Sequence, residues 1–144
     1  MATPRWATCA KAGYLYASIV LAVGFFFGTI RTLLIAPRLG ETTAVSLEAP
    51  FMLVVSWNLS RWSARRYKML TDTNEALLMG AIALAILTLV ELGTAALLFR
   101  ETALEYFSGL WSVPGAIGLA AQLCFAAFPF LQAIGRQTKS HKAP

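Results

Sequence analysis

Between Ala12 and Ile30 the chain carries 19 consecutive residues without a charge. At ~1.5 Å per residue that run makes about 29 Å of α-helix, the thickness of one hydrocarbon core. It is longer than the apolar part of a signal peptide, and no clear A-x-A cleavage site follows. It is therefore expected to be a retained helix. The remaining apolar residues are also blocked into long runs, not spaced for one amphipathic face. Charged residues make up 13% of the 144, where a soluble domain carries about a quarter. The expected fold is an all-α membrane protein, a single integral membrane domain over residues 1–144. Four transmembrane helices in an antiparallel bundle are predicted at about 12–36, 42–62, 76–99 and 112–134, with polar tails at 1–11 and 135–144.

Pro37 is expected to stop helix 1, and Pro37 to Thr43 to form a tight polar turn. Helix 2 poses a length problem. Only 12 uncharged residues separate Glu48 from Arg61, about 18 Å of helix, too short to cross a bilayer. Either helix 2 starts near Thr42 and carries Glu48 into the membrane, or it starts at Pro50 and Arg61 snorkels inward. The first reading is preferred, with a local adjustment at Pro50. Thr73 or Asn74 is the expected cap of helix 3. A mixed loop from Arg100 to Trp111 leads to helix 4.

Lys and Arg number two in the N-terminal tail, four in the 61–72 loop and three in the C-terminal tail, against one each in the other two loops, Arg38 and Arg100. The positive-inside rule then places both termini in the cytoplasm. Trp62 at the inner face and Tyr106 and Trp111 at the outer face suit aromatic belts. The net charge of +5 belongs to these helix ends and anionic headgroups; no nucleic acid partner is expected. Cys9 and Cys124 form no C-x-x-C pair and have no metal-ligand spacing. No metal and no cofactor are expected, and His141 in the tail is not expected to be a ligand.

The residues that call for explanation are polar ones inside the apolar runs: Arg31, Glu48, Asn58, Glu91 and Gln122. A charge at the membrane centre costs ~2.5–3.5 kcal/mol on insertion scales. The topology puts Arg31, Glu48 and Glu91 in the outer half of the bilayer, so an ionic cluster of these three is expected. Arg38 at the rim, Thr88, Gln122 and Asn58 are the supporting polar groups. Helical phase agrees. Gly24, Gly28 and Arg31 share one face of helix 1; Gly80, Thr88 and Glu91 share one of helix 3. On helix 4, Gly115, Gly118, Gln122, Ala126 and Pro129 do the same. Small residues mark faces where membrane helices approach closely, so Gly24, Gly28, Gly80, Gly115 and Gly118 are the predicted packing positions. Arg31 has a second option, snorkelling to the outer headgroups, and Glu48 another, an interfacial place in the turn. Glu91 is apolar on both flanks and has neither.

The run Gly28-Thr29-x-Arg31-x-Leu33, Pro37-Arg38-x-Gly40 and Glu48-x-Pro50-x-Met52 resembles a group of small bacterial four-span inner-membrane proteins of unassigned function. So do Ala64-Arg65-Arg66, Glu91-Leu92 and Glu105-Tyr106. The resemblance implies a bacterial inner-membrane location and carries no activity or cofactor. The expected function is that of a structural or accessory membrane component, with the lipid bilayer and a larger complex or a second copy as partners. The alternative is a proton-coupled transporter or channel subunit that titrates at Glu91 or Glu48. An intramembrane enzyme is not expected: a thiol oxidase needs cysteine pairs and a metalloprotease a His/Glu cluster.

Overall fold

The computed structural model describes residues 4–68 and 72–140, with the side chains of 139 and 140 excepted. Residues 69–71 of the basic loop, and His141 and Lys142 of the tail, lie outside the described residues. What is described is helical, with no strand. Helix α1 spans Arg5–Ile30 and continues through a π-helical turn, Arg31–Ile35, into a short α2, Ala36–Leu39. Then come α3 (Glu41–Arg66), α4 (Thr73–Leu98), the short α5 (Ala103–Gly109) and α6 (Val113–Ser140).

Pro37 does not end the first helix as predicted. The chain widens by one residue just before it, and the Ala36 N–H reaches back five residues to the Arg31 carbonyl. A proline ring collides with the carbonyl four residues earlier in a regular α-helix. A π-turn upstream relaxes that ladder, so the rod runs on to Leu39. The reversal falls on one residue. Gly40 takes φ +82° and ψ 158°, a conformation that L side chains rarely adopt, and α3 begins directly after it. Helix 2 therefore starts at Glu41 and carries Glu48 within it. Pro50 sits inside α3 without interrupting it.

Other boundaries also moved. The first helix begins at Arg5, inside the predicted tail, directly after Pro4, and there Arg5 pairs with Glu75 at 3.1 Å and Asp72 at 3.8 Å. Asp72, not Thr73 or Asn74, caps α4: its Oδ1 accepts from the Asn74 N–H at 2.9 Å and the Glu75 N–H at 3.5 Å. The predicted outer loop contains α5, closed by a capping box. The Thr102 hydroxyl accepts from the Glu105 N–H, and the Glu105 carboxylate accepts from the Thr102 N–H at 2.7 Å. Helix α6 continues through the predicted tail to Ser140.

The four long helices lie side by side. Helix α1 packs on α3 and α4, and α6 packs on the same two. Ser63 meets Ala12 and Glu48 meets Arg31, so α3 runs antiparallel to α1. Arg5 meets Glu75 and Gly13 meets Met79, so α4 runs parallel to α1. Gln122 meets Glu91 and Ala126 meets Gly80, so α6 opposes α4. Arg5, Arg61, Arg65 and Arg136 thus gather at one end of the molecule, with Gly40 and α5 at the other.

Many large apolar side chains face outward: Leu97 is 83% exposed, Phe25 72% and Leu89 69%. The interior combines Tyr16, Met79, Leu87 and Phe125 with Ala12, Ala17, Ala44, Ala83 and Ala133, and with buried Ser56, Ser60, Ser63 and Gln132. Exposed large apolar side chains around an interior rich in small residues suit a lipid surround, where helices gain by close approach. Three stretches, Arg5–Leu39, Thr73–Leu98 and Val113–Thr138, are long and apolar enough to cross a membrane. Helix α3 has the length, 26 residues, but Glu41, Glu48, Asn58, Arg61 and its serines leave it short of that apolarity.

Packing positions follow the glycines only in part. A Cβ on Gly80 would fall on the Ala126 carbonyl, and one on Gly115 on the Gly109 carbonyl. A Cβ on Gly24 would stand 3.3 Å from the Met52 methyl. Gly28 and Gly118 have open space where a side chain would go, so neither is a close-packing position within the described chain. The α1–α4 contact uses Gly13 instead, where a Cβ would come within 2.9 Å of the Met79 carbonyl.

Candidate functional site

The predicted three-residue cluster resolves into two separate centres. The first joins the end of α1 to α3. Arg31 Nε lies 2.7 Å from Glu48 Oε2, with the two side chains 27% and 17% exposed. Arg31 is the first residue of the π-turn, and Glu48 stands two turns into α3, so the pair braces both sides of the Gly40 reversal. Around it lies a cleft of ≈ 280 Å³ lined by Phe27, Ile30, Ile35, Leu47 and Phe51. Phe27 and Phe51 stack with their rings 6.3 Å apart. Arg31 is therefore turned to its partner on α3, and Arg38 is exposed and joins no ion pair among the described residues.

Glu91 belongs to the second centre, on α4. Its Oε2 accepts the Tyr106 hydroxyl of α5 at 2.9 Å and the Gln122 amide of α6 at 2.5 Å. No cation pairs with it among the described residues. The expected ionic contact with Arg31 fails because depth along a helix does not set direction around it: Glu91 faces α6 and α5, while Arg31 faces α3. Tyr106, read from the sequence as a belt residue, turns inward to this carboxylate. Helix α5 brings it there. Arg100 adopts φ 55°, the Glu101 N–H returns to the Ala95 carbonyl at 3.1 Å, and α5 starts at once under its capping box. Hydrogen bonds from Thr102 to the Glu105 carboxylate hold that exposed carboxyl below the usual glutamate range. Thr88 is half-buried one turn before Glu91 but takes no part in these bonds.

A third polar group was missed. Near the basic end, Ser60 Oγ donates to Gln132 Oε1 at 3.2 Å, and Gln132 Nε2 donates to the Trp57 carbonyl at 2.9 Å. Ser63 Oγ donates to the Ala12 carbonyl at 2.9 Å. Tyr16 OH donates to the Phe125 carbonyl at 3.0 Å, and its ring stacks on Phe125 at 4.4 Å. A signal was available: Ser56, Ser60 and Ser63 recur at four- and three-residue spacing, a small polar stripe on one helix face. Asn58, singled out instead, is exposed and donates to the Val54 carbonyl of its own helix at 2.8 Å. Cys9 is buried and Cys124 exposed, both as free thiols.

Comparison with protein-family models, curated proteins and solved structures finds no match to the chain.

Proposed function

We propose that the chain is a four-span inner-membrane protein with both termini in the cytoplasm, acting as a structural or accessory component of a membrane assembly. The observation that carries this reading is pairing between helices. Arg31 forms an ion pair with Glu48, Glu91 accepts from Tyr106 and Gln122, and Gln132 bonds Ser60 and the Trp57 carbonyl. Polar groups spent on each other tie α1 to α3, α4 to α5 and α6, and α3 to α6, which suits a scaffold. The same matching supports α3 as the fourth span, since Glu48, Ser60 and Ser63 meet partners on other helices while exposed Asn58 bonds the Val54 carbonyl of its own helix. The gathering of Arg5, Arg61, Arg65 and Arg136 at one end supports the orientation. The bacterial location rests on the family resemblance and the Lys/Arg bias.

The test is purification of the full chain in mild detergent, with its companions identified. A defined membrane-protein partner at fixed stoichiometry supports the accessory role; a lone chain that catalyses solute flux in liposomes overturns it. Impermeant maleimide labelling of single cysteines checks the orientation: a cysteine at Glu101 reacts in intact cells and one at Arg66 does not. A second reading, proton-coupled transport through Glu91, is favoured by one observation, a carboxylate inside an apolar segment with no cation beside it. Flux that is absent, or indifferent to pH, removes it.

A further inference from the structure

The Arg31–Glu48 cleft has features that the scaffold role leaves unused. Two pairing groups need only touch. Here they stand in the wall of a cleft of ≈ 280 Å³ whose other lining residues are Phe27, Ile30, Ile35, Leu47 and Phe51. That volume is just under the ~300 Å³ at which small-molecule sites begin, room for a hydrocarbon chain more than for a compact polar solute. Leu47 is 49% exposed and Phe51 62%, so the cleft opens sideways, on the flank that would face lipid.

Depth fits the same occupant. Ser63 bonds the Ala12 carbonyl, which marks one level near the basic end. From Ala12 to Arg31 is about 28 Å of helix, close to the ~30 Å of a hydrocarbon core. Arg31 and Glu48 then stand just inside the hydrocarbon edge of one leaflet, within reach of its headgroups, with Phe27 and Phe51 one turn deeper among the acyl chains.

The charges give the chemistry. Arg31 turns Nε toward Glu48, and its terminal guanidinium nitrogens make no hydrogen bond among the described residues. Guanidinium groups recognise phosphate oxygens through paired N–H donors, and the carboxylate beside it accepts from an ammonium. We propose that this cleft binds one phospholipid with a zwitterionic headgroup bearing a primary amine. Its phosphate sits on Arg31, its ammonium on Glu48 and an acyl chain lies along the exposed side of Phe51, whose ring stacks on Phe27. A headgroup with only negative charge would meet Glu48 unfavourably, and a quaternary amine has no N–H to donate to it.

The site requires that the chain be membrane-embedded but not a particular orientation, and a chain that purifies without detergent would defeat the membrane reading before any lipid is measured. The experiment is native mass spectrometry of the delipidated full chain. It is mixed with equal amounts of phosphatidylethanolamine, phosphatidylglycerol and phosphatidylcholine bearing identical acyl chains. One retained phosphatidylethanolamine is expected, favoured at least several-fold over the other two. Leu47→Trp, which fills the cleft and leaves the ion pair in place, should abolish that retention. Arg31→Gln with Glu48→Gln should keep a bound lipid but lose the headgroup preference. Retention indifferent to headgroup in the native chain, no retention at all, or native-like selectivity in Leu47→Trp overturns the proposal.

Discussion

Arg31 and Glu48 meet at 2.7 Å across a reversal made by one residue, Gly40. Seventeen positions apart in sequence, they lie at matching heights on two antiparallel rods. Arg31 leaves the rod in the regular phase of α1, and the π-turn that begins there carries the helix past Pro37 to Leu39. Two charges that would each be costly alone in lipid become one nearly neutral brace between α1 and α3.

Glu91 holds α5 and α6 through one carboxylate oxygen. Glu91→Gln keeps an acceptor there and should change thermal stability in detergent by less than about 1 kcal/mol. Glu91→Leu strands the Tyr106 hydroxyl and the Gln122 amide. Leaving buried polar partners unpaired costs about 1–3 kcal/mol, and a fall of that size is expected in a thermal-unfolding assay. Equal behaviour of the two variants would remove the carboxylate's structural role.

The α4–α6 contact depends on the absence of a side chain at Gly80. Its Cβ would collide with the backbone carbonyl of Ala126, which cannot swing aside. Gly80→Ala should therefore destabilise by about 1–3 kcal/mol. Gly28→Ala and Gly118→Ala have open space and should be neutral or slightly stabilising. Thermal unfolding of the three variants side by side checks the contrast.

Gln132 bridges Ser60 and the Trp57 carbonyl in the centre of the molecule. Gln132→Leu leaves Ser60 without its acceptor and should cost about 1–3 kcal/mol. Gln132→Leu combined with Ser60→Ala also removes the unmatched Ser60 hydroxyl and should recover part of the loss. A double variant as unstable as the sum of the two singles would count against the bond.

The α5 cap has a pH dependence whose sign is fixed by Glu105. Its folded-state pKa is depressed by the Thr102 hydrogen bonds. The stabilisation is therefore present above the ordinary glutamate value and is lost as pH falls through the lower folded value. Amides of Ala103 to Gly109, corrected for intrinsic exchange rates, should be less protected near pH 3 than near pH 6. In Glu105→Ala that pH difference should disappear.

Much of this arrangement is readable from the chain because lipid restricts the options. The uncharged runs place three of the long helices. The distance from Glu48 to Arg61 is too short for a span; that arithmetic leaves a start near Thr42 or at Pro50, and the structure has the first, with Glu48 inside α3. The pairing of Glu91 is not readable the same way, since depth says nothing about which neighbour a side chain faces. Tyr106 was hidden by its place in an apparent loop, which the Thr102–Glu105 capping box converts to helix. Pro37 misled because a proline ends a regular α-helix, but one extra residue in the π-turn absorbs the clash. The serine stripe was overlooked because each serine alone is a weak signal; only their spacing reveals a buried face.

The central claim is that intramembrane polar groups here hold helices together by satisfying one another. A double-mutant cycle on Arg31 and Glu48, read as unfolding free energy in detergent, tests it most directly. Arg31→Met and Glu48→Leu should each destabilise by about 1–3 kcal/mol, less than a fully buried pair would because both side chains keep some exposure. The double variant should return to within about 1 kcal/mol of the native chain. Single variants without effect, or losses that simply add in the double variant, would contradict the claim.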